Sequence, residues 1–202
     1  ESGETKIAMI TDYGDITDQS FNQSTWEGVK EWGDTNNYKY KYYKPADNSD
    51  ASRIASAEKA IEEGYNVIVL PGYAFAPCIN KVAPKNKDTK FIALDVGKGD
   101  FLADYFGKDY DYNPDNTKWN TYKLPENVYS AVYQEEIAGF FAGYAVAKEG
   151  YRKLGFLGGM SVPAVVRYGY GFVQGVNAAA SDTDNFDIKY TYGGQFFGDT
   201  DI

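Results

Sequence analysis

The sequence predicts an α/β fold of two three-layer lobes with parallel sheets, the second lobe incomplete in this chain. Short apolar runs of strand length, "KIAMI" at Lys6, "NVIVL" at Asn66 and "KFIAL" at Lys90, lack the alternation of a one-sided strand and imply burial on both faces. Segments of helical length with one apolar face lie between them, and strands alternating with helices at this spacing mean parallel βαβ units with right-handed crossovers. An irregular stretch at about residues 100–125 divides two such blocks, which sets two lobes rather than one.

Taken in order, the first strand runs over residues 6–11 and a polar loop over 12–19 follows it. Ser20 reads as the N-cap of a helix whose apolar face is Phe21, Trp26, Val29 and Trp32, ending near Gly33. "YKYKYYK" from Tyr38 alternates aromatic and lysine residues, the pattern of a half-exposed strand near a sheet edge. Residues 51–63 are helical with Ile54, Ala57, Ala60 and Ile61 inward and Gly64 closing the helix. A buried strand over 66–70 ends in Pro71-Gly72. A helix over 75–85, with Pro77 near its start, leads to the strand at 90–95. Residues 100–125 have no clean period, many Asp, Asn and Tyr, and two prolines, and read as a long loop or inserted excursion. The alternation resumes with a strand over 127–132, a helix over 135–148, a strand over 153–157, a helix over 163–180 and a strand over 186–192. The N-terminal lobe is therefore expected over 1–125, and 126–202 supplies the crossover and the first part of a C-terminal lobe.

Composition narrows the function. With 202 residues, 43% of them hydrophobic, the chain can bury a real core. Lys and Arg total 20 against 29 Asp and Glu, and a formal charge of −9 argues against nucleic acid as a partner. The apolar run at 137–147 falls well short of the roughly 20 residues that span a bilayer. The first five residues are polar and lack both an initiator Met and an apolar signal core, as expected of a processed or trimmed chain. A single cysteine, Cys78, lies in an apolar stretch and reads as a buried, inert thiol. There is no histidine, which removes Ser/His/Asp and Cys/His nucleophile arrangements and the usual zinc sites. No catalytic residue, metal or cofactor is expected. The 19 tyrosines supply rigid contact area with a polar tip, suited to stacking planar ligands, although lineage bias explains them equally well.

Several motifs carry chemistry only in the right context. "GYGFVQG" places Gly169, Gly171 and Gly175 inside a helix with the wrong spacing for a dinucleotide loop, so close helix packing is expected. "GFLGGM" at Gly155 follows a strand but lacks the Lys-Ser/Thr of a phosphate loop; it offers backbone N–H groups to a ligand. Asp12, Asp15 and Asp18 fail the calcium-loop template, and Asp15 and Asp18 read as turn and helix N-terminal charges. Asp12 and Asp95 stand at the carboxyl ends of buried strands, where open α/β sheets bind ligands; each either holds a ligand hydroxyl or caps a neighbouring turn. Phe21 at the first turn of its helix either stacks on a planar ligand, with Asn22 offering donor and acceptor, or plugs the end of the sheet.

Four blocks in register, "TDYGDITDQSFNQSTWEGVK", "NVIVLPGYAFAPCINKVAPKNKDTKFIALD", "NVYSAVYQEEIAGFFAGYAVA" and "KLGFLGGMSVPAVVRYGYGFVQGVNAA", resemble the basic membrane protein (BMP) family, which includes purine nucleoside receptor lipoproteins of ABC transporters. The resemblance implies a type I periplasmic-binding-protein fold whose two lobes close on a small molecule, typically a purine nucleoside. An ABC transporter permease is the implied partner. The implied location is extracytoplasmic, either periplasmic or held at the outer face of the bacterial cytoplasmic membrane by a lipid anchor on a removed N-terminal segment. Carried across residue by residue, the resemblance makes Asp12 and Asp95 polar ligand contacts, Phe21 the stacking platform and Asn22 its hydrogen-bonding neighbour. Gly72 and Tyr73 fall on the first-lobe rim, and Gly159, Met160 and Val162 on the second-lobe side. Arg167 matches a family position in the following helix or is a surface charge. Two features depart from the family: the Tyr/Asp-rich stretch at 100–125 is longer than expected, and family members are considerably longer than this chain. Rival readings are a ligand sensor without a transporter and a carboxylate-dependent nucleoside or sugar hydrolase using Asp12 and Asp95.

Overall fold

The computed structural model describes residues 4–195 except 112, 114, 182 and 183. The chain divides into two compact units, Glu1–Val132 and Tyr133–Ile202.

The first unit contains β1 (Lys6–Ile10), α1 (Phe21–Asn36), β2 (Lys39–Tyr43), α2 (Asp50–Glu62), β3 (Val67–Pro71), α3 (Ala76–Val82), β4 (Lys90–Leu94), α4 (Lys98–Phe106) and β5 (Val128–Ala131). Its five strands form one parallel sheet in the order β2-β1-β3-β4-β5. The alternation of side chains along β1 explains the layers. Ala8 and Ile10 face a core shared with Ala57 and Ala60 of α2, Ile79 and Val82 of α3 and Phe101 of α4, whereas Ile7 and Met9 pack with Val29 and Trp26 of α1. These four apolar residues of β1 are fully buried, as an unbroken apolar run requires. The lysine-bearing β2 occupies one sheet edge, where the exposed Lys39 and Lys41 discourage pairing with another chain.

Three sequence expectations need correction here. First, α1 continues past Gly33 to Asn36 and closes at Asn37, whose φ of 55° is left-handed. Gly33 has a different purpose: a Cβ there would lie 2.3 Å from the Tyr40 ring. Its buried face is Asn22, Thr25, Val29 and Gly33, while Trp32 is 45% exposed and meets Tyr38 edge-on. Second, the stretch read as an irregular excursion opens with helix α4. Asp100 Oδ2 accepts from the Gly97 N–H at 2.7 Å and caps the helix, and Phe101 and Leu102 bury its inner side. The remainder is tied down by Trp119, 3% exposed, which sits against Phe106 and Tyr110 and donates its indole N–H to the Asn113 carbonyl at 2.9 Å. Third, the strand expected with the second block, β5, pairs with β4 at the edge of the first sheet.

The second unit contains α5 (Glu135–Lys148), β6 (Lys153–Gly158), α6 (Pro163–Ala179) and β7 (Asp187–Tyr192), with β6 and β7 paired in parallel. The helix glycines serve close packing, as the sequence implied. A Cβ on Gly171 or Gly175 would come within 2.0 Å of the Glu136 or Phe140 carbonyl oxygen, and one on Gly139 or Gly143 would strike the Tyr168 or Phe172 carbonyl. A small core of Ala147, Val176 and Ala179 fills the space beneath. Cys78, back in α3, is 1% exposed, and burial pushes its thiol up to about 12, which makes it inert.

Candidate ligand-binding site

Parallel strands deliver their carboxyl ends to one end of the first sheet, and the predicted first-lobe residues gather there. Asp12 follows β1, Gly72 and Tyr73 follow β3, and Asp95 follows β4.

Asp12 is held by its neighbours through one oxygen. Its Oδ1 accepts from the backbone N–H of Tyr13, from that of Gly14 at 2.7 Å and from Asn22 Nδ2 at 2.8 Å. This is the aspartate turn that a short "DYG" favours. Oδ2 points toward Gly72, where a Cβ would lie 3.9 Å from it, and accepts no hydrogen bond among the described residues. Gly72 is needed there because its φ is +115°. One carboxylate oxygen is thus fixed and the other is left for an outside donor.

Asn22, 3% exposed, does the fixing. Its Oδ1 accepts from the Asp12 N–H at 3.1 Å, and its Nδ2 donates to Asp12 Oδ1 and to Asp18 Oδ2, both at 2.8 Å. The amide therefore spends both donors and an acceptor on the loop, a positioning role beside the ligand contact that the resemblance implies. Gly14 lets the two side chains meet, since a Cβ at that position would lie 2.5 Å from Asn22 Nδ2.

Asp18 does more than place a charge at the N-terminus of α1. Ser20 occupies the N-cap position of α1 without a side-chain cap bond. The Asp18 carboxylate takes over, accepting from the backbone N–H groups of Ser20 at 2.9 Å, Asn22 at 3.3 Å and Gln23 at 3.0 Å. Desolvation opposes its charge, but the Asn22 amide and these N–H groups outweigh it and hold its carboxyl below the ordinary value. Asp15 is a surface charge paired with Lys44 at 2.7 Å.

Phe21 is the first residue of α1 and is half-buried. Tyr73, 38% exposed, opens a single 3-10 turn and borders a cavity of about 510 Å³ whose walls include Tyr13, Arg53 and Asp100. Burial raises its phenol above the usual range, so it is a neutral donor at physiological pH. Asp95 has left-handed backbone geometry, φ 58°, and its N–H donates to the Ala131 carbonyl at 2.8 Å. A non-glycine residue held in this sparsely populated region marks a position that the surroundings impose.

The second-unit candidates lie on the loop between β6 and α6. The carbonyls of Gly158 and Gly159 accept from the N–H groups of Gly193 and Gly194, both at 2.8 Å, which fixes the loop against the segment after β7. Met160 is 39% exposed, and Val162 is the N-cap of α6 in extended geometry. Arg167 Nε donates at 2.7 Å to Oε2 of buried Glu135, linking α6 to α5.

An open parallel sheet with carboxylates and a conformationally special glycine at its strand ends, followed by a second α/β unit, defines a type I periplasmic-binding-protein fold. A solute-binding protein of an ABC transporter system from Aeropyrum pernix K1 has the same fold, with a TM-score of 0.67 at 21% identity over 95% of this chain and 48% of that one. The chain belongs to the PnrA-like family of ABC transporter substrate-binding proteins, whose model matches residues 5–201. Among its relatives, "ABC transporter nucleoside-binding protein BmpA" of Lactococcus lactis subsp. cremoris is 29% identical over 93% of this chain and 47% of its own length. "Basic membrane protein A" of Borreliella afzelii is 27% identical over 92% and 50%. The chain spans about half the length of these curated relatives.

Proposed function

We propose that this protein binds a nucleoside, in the first place a purine nucleoside, between two lobes, and delivers it to an ABC transporter permease outside the cytoplasmic membrane. The observation that carries the reading is the half-committed Asp12 carboxylate, with Oδ1 saturated by the loop and Oδ2 facing Gly72. A rigid, charged acceptor at a strand end suits a ribose hydroxyl. In this reading Phe21, the first residue of the adjacent helix, stacks on the base, and Asp95, Tyr73, Gly159, Met160 and Val162 are further contacts. Among the described residues no helix is long and apolar enough to cross a membrane. The test is a thermal-shift and calorimetric screen against nucleosides, free bases and sugars, with the ligand recovered and analysed afterwards. A ligand that binds the native state alone raises the melting point. Nucleosides are expected to do so and to be recovered unchanged. A response to sugars alone, or recovery of free base and ribose, overturns the reading.

A further inference from the structure

At the opposite end of the first sheet, where the chain enters β4 and β5, lies a cavity of about 660 Å³. It forms between the turn that follows α3 and the segment that leads into β5. Its volume is in the range of small-molecule sites. Lys87, Lys90 and Lys123 line it, against a single acid, Glu126. This is a local excess of positive charge in a chain whose formal charge is −9.

Among the described residues the three lysines form no ion pair, with Glu126 or any other acid; the ion pairs there engage Lys39, Lys41, Lys44, Lys118 and the three arginines. The frame beneath them is rigid. Asn127, 8% exposed, donates through Nδ2 to the carbonyls of Ala83 at 3.1 Å and of Asn86 and Thr89 at 2.9 Å. That one amide ties the turn before β4 to the start of β5. Prolines stand on both sides, Pro84 on one segment and Pro125 on the other, and each fixes its backbone. Like charges that line a concave surface focus the local field and draw in counter-ions. Ammonium groups are compact point charges that suit phosphate oxygens.

We propose that this cavity is a second binding site, separate from the strand-end site, for a phosphate-bearing ligand. The phosphate belongs either to a soluble molecule or to a lipid headgroup, and the two sources are separable. Inorganic pyrophosphate serves as the soluble probe in calorimetry at low ionic strength. Phosphatidylglycerol vesicles, compared with phosphatidylcholine vesicles in co-sedimentation, serve as the lipid probe. The combined variant Lys87→Gln/Lys90→Gln/Lys123→Gln is compared with Lys108→Gln/Lys153→Gln/Lys189→Gln, which makes the same change in net charge at exposed positions elsewhere. All six side chains are exposed and outside the ion pairs, so both variants are expected to fold, and circular dichroism checks this.

The expected result is saturable pyrophosphate binding that the cavity variant weakens roughly tenfold or more and the control variant leaves within about twofold. Binding confined to phosphatidylglycerol vesicles, with the same dependence on the two variants, keeps the site and assigns the phosphate to a lipid. Absence of binding to either probe, or an equal loss in both variants, overturns the proposal.

Discussion

Under the proposed function, individual side chains at the strand ends divide into those that would contact the ligand and those that hold the others in place. Phe21→Ala is expected to weaken purine nucleoside binding by about 1–3 kcal/mol, the range for losing a stacking partner, with little loss of fold. Calorimetry decides this, and unchanged affinity would make Phe21 a plug over the sheet. Asp12→Asn and Asp95→Asn should weaken ribosides far more than free bases, because a charged acceptor makes the stronger bond to a hydroxyl. Equal losses for base and riboside would move the carboxylates onto the base. Asp18 acts on stability instead. Since its folded pKa is depressed, the unfolded chain binds the proton first as the solution is acidified. Its contribution is therefore complete above the ordinary value of 3.8 and is lost as the pH falls through the lower folded value. Asp18→Ala is expected to cost about 1–2 kcal/mol at neutral pH, the scale of a lost helix cap. The difference from the parent protein should close in acid. Urea titrations across this range test it, and a gap that persists in strong acid would mean that the carboxylate's charge is not what caps α1.

Helices differ in what their glycines are for, and one substitution made in two places separates the cases. Gly28 in α1 has nothing within 4 Å of where a Cβ would be, so Gly28→Ala should stabilise by about 0.5–1 kcal/mol through helix propensity alone. Gly175→Ala in α6 gains the same propensity but drives a methyl into the Phe140 carbonyl, and a net loss of about 1–3 kcal/mol is expected. Thermal melts with opposite signs confirm the distinction, and a stabilised Gly175→Ala would mean that the helices move apart at little cost. The sequence anticipated the helix packing of Gly171 and Gly175 because glycines repeated inside a helical segment have few other uses, whereas Gly169 makes room for the Tyr190 ring of β7 instead. It anticipated β1, β3 and β4 because a strand buried on both faces must be apolar throughout. The inner face of α1 was read only in part: Val29 is buried and Trp26 packs on the Ile7/Met9 core as expected, but Trp32 is exposed, and Asn22, Thr25 and Gly33, which carry little hydropathy, complete the buried face. In α4 the apolar residues Phe101, Leu102, Tyr105 and Phe106 do keep a helical spacing, but the helix is only nine residues long and runs straight into an Asp-, Asn- and Tyr-rich stretch without a period, which masked it together with its Gly97–Asp100 cap. Strand-end carboxylates were legible from their place after apolar runs. The double commitment of Asn22 was not, because it depends on the loop folding back to bring Asp18 and Asp12 to one amide.

Across the whole molecule, stability is expected to be unequal. In the first unit the sheet is covered on both faces: Ile7, Met9, Ile68 and Phe91 are fully buried, and five strands share one hydrogen-bonded sheet. Among its described residues the second unit has two paired strands, a core of three buried apolar residues, and large apolar side chains in solvent, with Phe141 65% and Leu157 75% exposed. At roughly 25 cal/mol per Å² of apolar surface, those side chains contribute little of the burial energy that their size allows. Its helix pair is tightly packed, but the β6–β7 ladder has no further strand on either side among the described residues. Local opening follows the number of buried contacts and protected hydrogen bonds. Amides in β1, β3 and β4 should therefore exchange only through near-global unfolding, while those in β6 and β7 open at a free energy lower by about 2 kcal/mol or more. Native-state hydrogen exchange, read residue by residue, measures both. A single opening free energy shared by the two sheets would mean that the units unfold as one, and that the exposed faces of α5 and β6 are protected in solution by contacts beyond those within the second unit.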